Sequence, residues 1–276
     1  SDGITPIEVK PKCIVVKMRE GVALNAVGLS GPGAKHILIQ KWWHQQTAPF
    51  FISWMAVTHT LVERELEAKR FVRYMRDYAY DIQTPFGLQL NISCPNTGHD
   101  VCFDTVSEVY RLMDILGMLN VPIVPKISVT TNVETATKIA EHPACDAISV
   151  SNTVPWGMLP DKIDWKKLFG SDKSPLEKRF GPNNRGGLSG KPLLPLVIDW
   201  VTEAIQSGFP KPINAGGGIL SKEDAIALIE AGAKSVSLGS VAFLRPWRVA
   251  GIIRAVHKEM DKDKNGENNA KRPTLQ

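Results

Sequence analysis

The sequence predicts an α/β fold of the TIM (β/α)8 barrel type, and three observations predict it. Short apolar runs ending in small or polar residues alternate with longer segments of helical period, the pattern of βα units around a parallel sheet. At 276 residues, 43% of them hydrophobic, the chain is large enough to bury one barrel-sized core. Residues 152–191, rich in Pro, Gly, Lys and Asp, break the alternation; an insertion of that length in a barrel covers its C-terminal mouth.

Seven βα units are recognisable, so the barrel reads as incomplete. Candidate strands occupy residues 22–27, 49–55, 87–92, 122–127, 144–150, 212–215 and 235–238, and helical patterns follow at 33–43, 60–80, 104–119, 132–141, 192–207, 221–231 and 247–260. The helix at 60–80 is expected to turn Glu63, Arg64, Glu67, Lys69, Arg70 and Arg73 outward as a solvated exterior. Ser221 with Asp224 reads as an N-cap pair, and Gly232 as the stop of the same helix. Residues 4–16 are apolar enough to be extended, but Pro6, Pro11 and the lysines favour an edge hairpin. The first barrel strand is therefore expected to be absent from this sequence. Residues 1–260 read as a single domain and 261–276 as a polar tail, expected to be disordered.

Composition excludes several function classes. Thirty-three basic and 28 acidic residues leave a formal charge of +5, scattered and not interleaved with aromatics, so nucleic acid is not an expected partner. That balance is compatible with anionic ligands. The four cysteines, Cys13, Cys94, Cys102 and Cys145, have no CxxC spacing and no paired histidines at ligand intervals, which argues against zinc or an iron–sulfur cluster. A reducing, cytoplasmic setting follows as the simpler reading. No apolar run approaches the ~20 residues of a membrane span, so a soluble protein is expected.

The most informative segment is Leu90-Asn91-Ile92-Ser93-Cys94-Pro95-Asn96-Thr97-Gly98, where a candidate strand reaches the face on which barrels keep reactive groups. Two amides flank one thiol, giving donors and acceptors that can grip a planar imide while the sulfur faces a C–H bond. A thiol with an unperturbed pKa of about 8.5 becomes a usable base when local dipoles lower it. The alternative is a small buried cysteine, the reading preferred for Cys13, Cys102 and Cys145.

Lys126 sits late on an apolar strand, either as a snorkelling cation or as a fixed charge facing a site. Asn25, close to Gly28, would alone mean only a turn. Three glycine pieces, Gly186-Gly187-Leu188-Ser189-Gly190, Ala215-Gly216-Gly217-Gly218-Ile219 and Leu238-Gly239-Ser240, are tight turns or anion cradles. The last two follow the final two candidate strands, the usual phosphate position in barrels. His44 and His59 read as surface or packing residues rather than proton shuttles.

The string N-I-S-C-P-N-T closely resembles the N-x-S-C-P-N motif of class 1 dihydroorotate dehydrogenases, and the resemblance runs over residues 23–244 in family order. Its most specific parts are the cysteine motif and the GGLSG piece. It implies FMN-dependent oxidation of dihydroorotate to orotate, a step of de novo pyrimidine biosynthesis, in a flavin-binding barrel. Cys94 is then the base that takes a proton from substrate carbon while a hydride passes to FMN. By the same resemblance Asn25, Asn91, Asn96, Asn152 and Thr153 hold substrate. Asn91, Lys126, Gly190, Gly217, Gly218, Gly239 and Ser240 hold FMN, with the lysine beside the ring and the glycines at the phosphate. The membrane-associated, quinone-using class carries serine in place of the cysteine, so Cys94 indicates the soluble class.

The sequence also departs from the family. Gly3-Ile4-Thr5 resembles the residues just after a substrate-carboxylate lysine, which would put that lysine and the first strand upstream of residue 1. Residues 42–60, with Trp42, Trp43 and Trp54, are unusual for it. Two other readings stay open: a flavoenzyme for another dihydropyrimidine, and a non-catalytic barrel fragment without flavin. Homodimers are common in the family, and an iron–sulfur partner subunit passing electrons to NAD is one of several acceptor routes.

Overall fold

The computed structural model describes residues 12–28, 31–79, 82–93 and 106–264. The chain begins with an antiparallel hairpin, β1 (Ile14–Lys17) and β2 (Val22–Asn25), and continues through α1 (Ala34–Ile39), β3 (Phe50–Trp54), α2 (Leu61–Tyr78), β4 (Phe86–Asn91) and α3 (Val106–Gly117). Next come β5 (Ile123–Ile127), α4 (Val133–Ala140), β6 (Ile148–Val150), and, within the long insertion, β7 (Val154–Pro155), α5 (Trp165–Phe169), α6 (Glu177–Phe180) and β8 (Gly187–Gly190). The described chain closes with α7 (Leu193–Gln206), β9 (Ile213–Gly216), α8 (Lys222–Glu230), β10 (Ser235–Ser237), α9 (Val241–Leu244) and α10 (Val249–Lys264).

Six of the seven expected strands form one parallel, curled sheet in the order β10-β9-β6-β5-β4-β3, in the manner of a (β/α) barrel. The seventh is a correction. Residues 22–25 pair antiparallel with β1 on one side and with β8 on the other, in a small sheet of order β1-β2-β8-β7. Val22 and Leu24 are buried against Val154, Trp156, Ile163 and Leu176 of the insertion, so their hydrophobicity serves a second core. Residues 1–11 lie outside the described residues; of the edge hairpin expected of residues 4–16, residues 14–16 belong to β1, whose hairpin partner is β2, not a strand within 4–16.

Alternation along the parallel strands separates two faces. Ile52, Trp54, Leu88, Leu90, Ile148 and Ile213 join the helices in the main core. Several of the intervening positions are polar: Ser53, Gln89, Lys126, Ser149 and Asn214. Strand register aligns Asn91, Lys126, Ser149, Asn214 and Ser235 as one rung across five strands. Barrels ordinarily fill this face with branched apolar side chains.

Helix α2 buries Ala68, Phe71, Val72 and Met75, a stripe of helical spacing. Arg64 lies one turn before Ala68 on the same stripe, which corrects the expectation that it faces solvent. It is 5% exposed; its Nε donates to Glu108 Oε1 at 2.6 Å and its Nη1 to the carbonyls of Thr58 and His59. Glu67 also turns inward, accepting from the Val57 amide at 2.9 Å. Capping boxes start α2 at Thr60 with Glu63 and α8 at Ser221 with Asp224, and Gly232 follows α8 at φ 116.

Two of the unusual tryptophans of residues 42–60 serve packing. Trp43 stacks on Phe50 at 5.4 Å and Trp54 on Phe71 at 5.2 Å. Cys145 is buried, which pushes its thiol up to about 12. Helix α10 runs past Met260 to Lys264, into what reads as tail, and a Lys262–Glu259 pair at 2.9 Å lies on its last turn. Among the described residues no helix is long and apolar enough to cross a membrane.

Candidate functional site

The C-terminal ends of β5, β6, β8, β9 and β10 converge on a cavity of about 310 Å3. Lys126, Asn152 and Thr153 line it, and so do Gly190, Gly217, Gly218, Gly239 and Ser240. Eight of the residues singled out from sequence, drawn from five segments of the chain, thus meet at one concavity.

Asn91 stands behind the lining and is bonded into it. The Asn152 Nδ2 donates to Asn91 Oδ1 at 3.0 Å and to Ser93 Oγ at 3.2 Å, while Ser93 Oγ donates to the Lys126 carbonyl at 3.0 Å. The Asn152 Oδ1 accepts from the Thr153 amide at 2.9 Å, and the Asn152 amide donates to the Ile127 carbonyl at 2.9 Å. Both asparagines are 9% exposed. Together these bonds fix β4, β5 and β6 to one another at the mouth, directly before Cys94 in the chain. Cys94 and Asn96 lie outside the described residues. Asn25 is not on the lining: from the end of β2 its Nδ2 donates to the Gly187 carbonyl at 3.4 Å.

The glycine turns are shaped by close approach of backbone. Gly190 has φ 103, and a Cβ there would fall 2.1 Å from the Gly21 carbonyl oxygen. Gly218 has φ 78, and a Cβ would fall 2.5 Å from the Leu194 amide nitrogen. Gly218 therefore lies against the first turn of α7, whose N-cap Pro192 supplies no side-chain bond and whose Leu193 lines the cavity. A helix N-terminus beside glycine backbone favours an anion. Lys126 is the charged side chain among the described lining residues.

One polar atom in the site awaits a partner: Thr153 Oγ1 is buried without a hydrogen bond. Buried hydroxyls are ordinarily paired, so this one suits a ligand atom. These features fit a group with a phosphate and a polar ring. Sequence reasoning missed Gln89, Ser149 and Ser237, which also line the cavity. Their signal was present, since Gln89 lies between Leu88 and Leu90 and Ser149 between Ile148 and Val150.

Comparison with known proteins identifies the family. The catalytic subunit of dihydroorotate dehydrogenase B (NAD(+)) from Anoxybacillus flavithermus is 31% identical over 245 residues, covering 86% of this chain and 70% of the relative. The subunit of the same name from Desulforamulus reducens is 27% identical over 274 residues, covering 96% and 81%. Ligand-free dihydroorotate dehydrogenase from Eimeria tenella superposes with a TM-score of 0.63 at 18% identity, over 93% of this chain and 74% of that one, a likeness of fold. The dihydroorotate dehydrogenase family model matches residues 5–260. The chain belongs to the dihydroorotate dehydrogenase family, as a dihydroorotate dehydrogenase-like oxidoreductase.

Proposed function

We propose that the chain oxidises dihydroorotate to orotate with FMN, Cys94 acting as the base. The observation that carries this is the Asn152–Asn91 hydrogen bond of 3.0 Å, which joins two amides beside the chain segment that continues into Cys94. FMN, when bound, supplies the acceptor for the substrate hydride. Asn91 and Asn152 orient the dihydropyrimidine ring through its imide, because amides both donate and accept. Thr153 Oγ1 offers substrate the bond it lacks within the protein. Cys94 removes a proton from substrate carbon, and Asn96 and Asn25 complete the grip on substrate. Lys126 holds positive charge beside the ring system, where negative charge develops on reduction. Gly190, Gly217, Gly218, Gly239 and Ser240, with the first turn of α7, seat the phosphate.

The relatives' name as catalytic subunits supports a partner subunit that carries electrons onward. The test is Cys94→Ala. The purified variant should keep the yellow flavin spectrum and lose turnover of dihydroorotate. A variant that turns over at the parent rate removes the cysteine from the mechanism, and a colourless parent protein that takes up no FMN removes the flavin.

A further inference from the structure

We propose that Asn214, which lies outside the cavity lining, is a positioning residue that sets the phosphate loop Gly239–Ser240 against the glycine turn after β9. This rests on the reading of those glycines as the seat of the FMN phosphate. Among the described residues strand β10 is the edge of the parallel sheet and pairs with β9 alone, through three residues. Its Ser235 and Ser237 are exposed and Val236 is half-buried, so burial alone holds it weakly. The loop that follows nevertheless begins two residues on, and Gly239 and Ser240 line the cavity.

The side chain of Asn214 supplies the missing hold. Its Nδ2 donates to Ser235 Oγ at 2.7 Å, and its Oδ1 accepts from Ser237 Oγ at 2.5 Å and from Ser149 Oγ of β6 at 3.1 Å. One carboxamide thus ties β6, β9 and β10. A carboxamide suits the task, because it carries an acceptor with two lone pairs and a separate donor on one short stem. The neighbouring inward position on β9 is Gly216, where a Cβ would fall 2.8 Å from the Ser237 carbonyl oxygen and 2.9 Å from its Cβ. Tether and clearance act on the same strand pair, since the register sets Asn214 opposite Ser235 and Gly216 opposite Ser237.

FMN and riboflavin share the ring system and differ in the phosphate, so their affinity ratio reports the phosphate loop. The experiment measures both dissociation constants by flavin fluorescence for the parent protein, Asn214→Leu, Asn214→Asp and Ser235→Ala. The parent is expected to prefer FMN. Asn214→Leu should lower the FMN-to-riboflavin preference roughly tenfold, the worth of one or two hydrogen bonds, with riboflavin binding little changed. Ser235→Ala, which loses the bond from Asn214 Nδ2, should fall between, and it decides the matter if Asn214→Leu does not fold; Asn214→Asp, whose carboxylate can still accept from all three serine hydroxyls, should lose less than Asn214→Leu. Equal losses for both flavins, or an unchanged ratio in all three variants, would overturn the inference while leaving the phosphate seat standing. A parent protein that binds both flavins equally would overturn the phosphate reading itself, and the tether's purpose with it.

Discussion

A double-mutant cycle on Asn91 and Asn152 measures whether the amide cluster organises the site. Asn152→Ala removes three bonds: Nδ2 to Asn91 Oδ1 at 3.0 Å, Nδ2 to Ser93 Oγ at 3.2 Å, and the Thr153 amide to Oδ1 at 2.9 Å. At about 0.5–1.5 kcal/mol net per bond, the stability cost is roughly 2–4 kcal/mol, and access to cavity water puts it near the lower end. Asn91→Ala removes the shared bond and a longer one from the Ser93 amide at 3.4 Å, for about 1–2 kcal/mol. The shared bond is lost once in the double variant, so the coupling should be about 1 kcal/mol. In catalysis the coupling should be larger, because each amide depends on the other for its orientation. Each single variant should lose roughly 30- to 100-fold in kcat/KM for dihydroorotate, and the double variant no more than about threefold beyond the worse single. Steady-state kinetics with urea midpoints on the same four proteins make the measurement. Losses that multiply, with a coupling under about 0.5 kcal/mol, would show that the amides act independently.

Three further changes test the frame around the site. Arg64→Met should cost about 3–5 kcal/mol in chemical denaturation, because it breaks a buried ion pair by removing the guanidinium from Glu108, 7% exposed; Arg64→Met with Glu108→Leu should recover much of that loss, and an equal loss in the double variant would contradict the pairing. Gly190→Ala should lower both stability and FMN retention, since a Cβ has no room beside the Gly21 carbonyl; thermal melting and the retained flavin absorbance check it, and a variant matching the parent in both would count against the cradle. Burial holds the Cys145 thiol at about 12 in the folded chain against an ordinary 9.0, so above pH 9 the unfolded chain loses the proton first. Stability should be level below pH 9 and fall toward pH 12 by up to about 1.4 kcal/mol per pH unit, and Cys145→Ala should flatten that part of a melting-temperature series; the same slope in the variant would assign it to other groups.

The parallel strands were legible because each carries apolar residues on the face that meets the helices, as Leu88 with Leu90 and Ile148 with Val150 do. The role of residues 22–25 was not. A short apolar run reads alike as a barrel strand or as the centre of a small antiparallel sheet. What decides between them is β8, a partner at the far end of a long insertion, and local pattern cannot see it. Arg64 was misread for the opposite reason. Its charge outweighed its place on the stripe of Ala68, Phe71, Val72 and Met75, although the spacing already argued for burial. The lining glycines and the lysine were recognisable by resemblance, whereas Asn25 came by the same route and sits in the other sheet.

The polar rung explains why part of the site escaped a reading made strand by strand. Asn91, Lys126, Ser149, Asn214 and Ser235 come from five strands, and within each strand a polar residue flanked by apolar ones is diluted by its neighbours. Only pairing makes them one surface, and register alone decides that they are neighbours, because a slip of one residue would send each to the core face. An interior that is polar along a whole rung forgoes the apolar packing a barrel otherwise gains there. Such a cost is ordinarily found at functional sites. Lys126 and Ser149 of the rung line the cavity, and the lost packing is offset in part where Asn91 and Asn214 are hydrogen-bonded within the protein. The chemistry of the mouth therefore extends one layer down the strands, and Asn214 belongs to it although it meets no cavity wall.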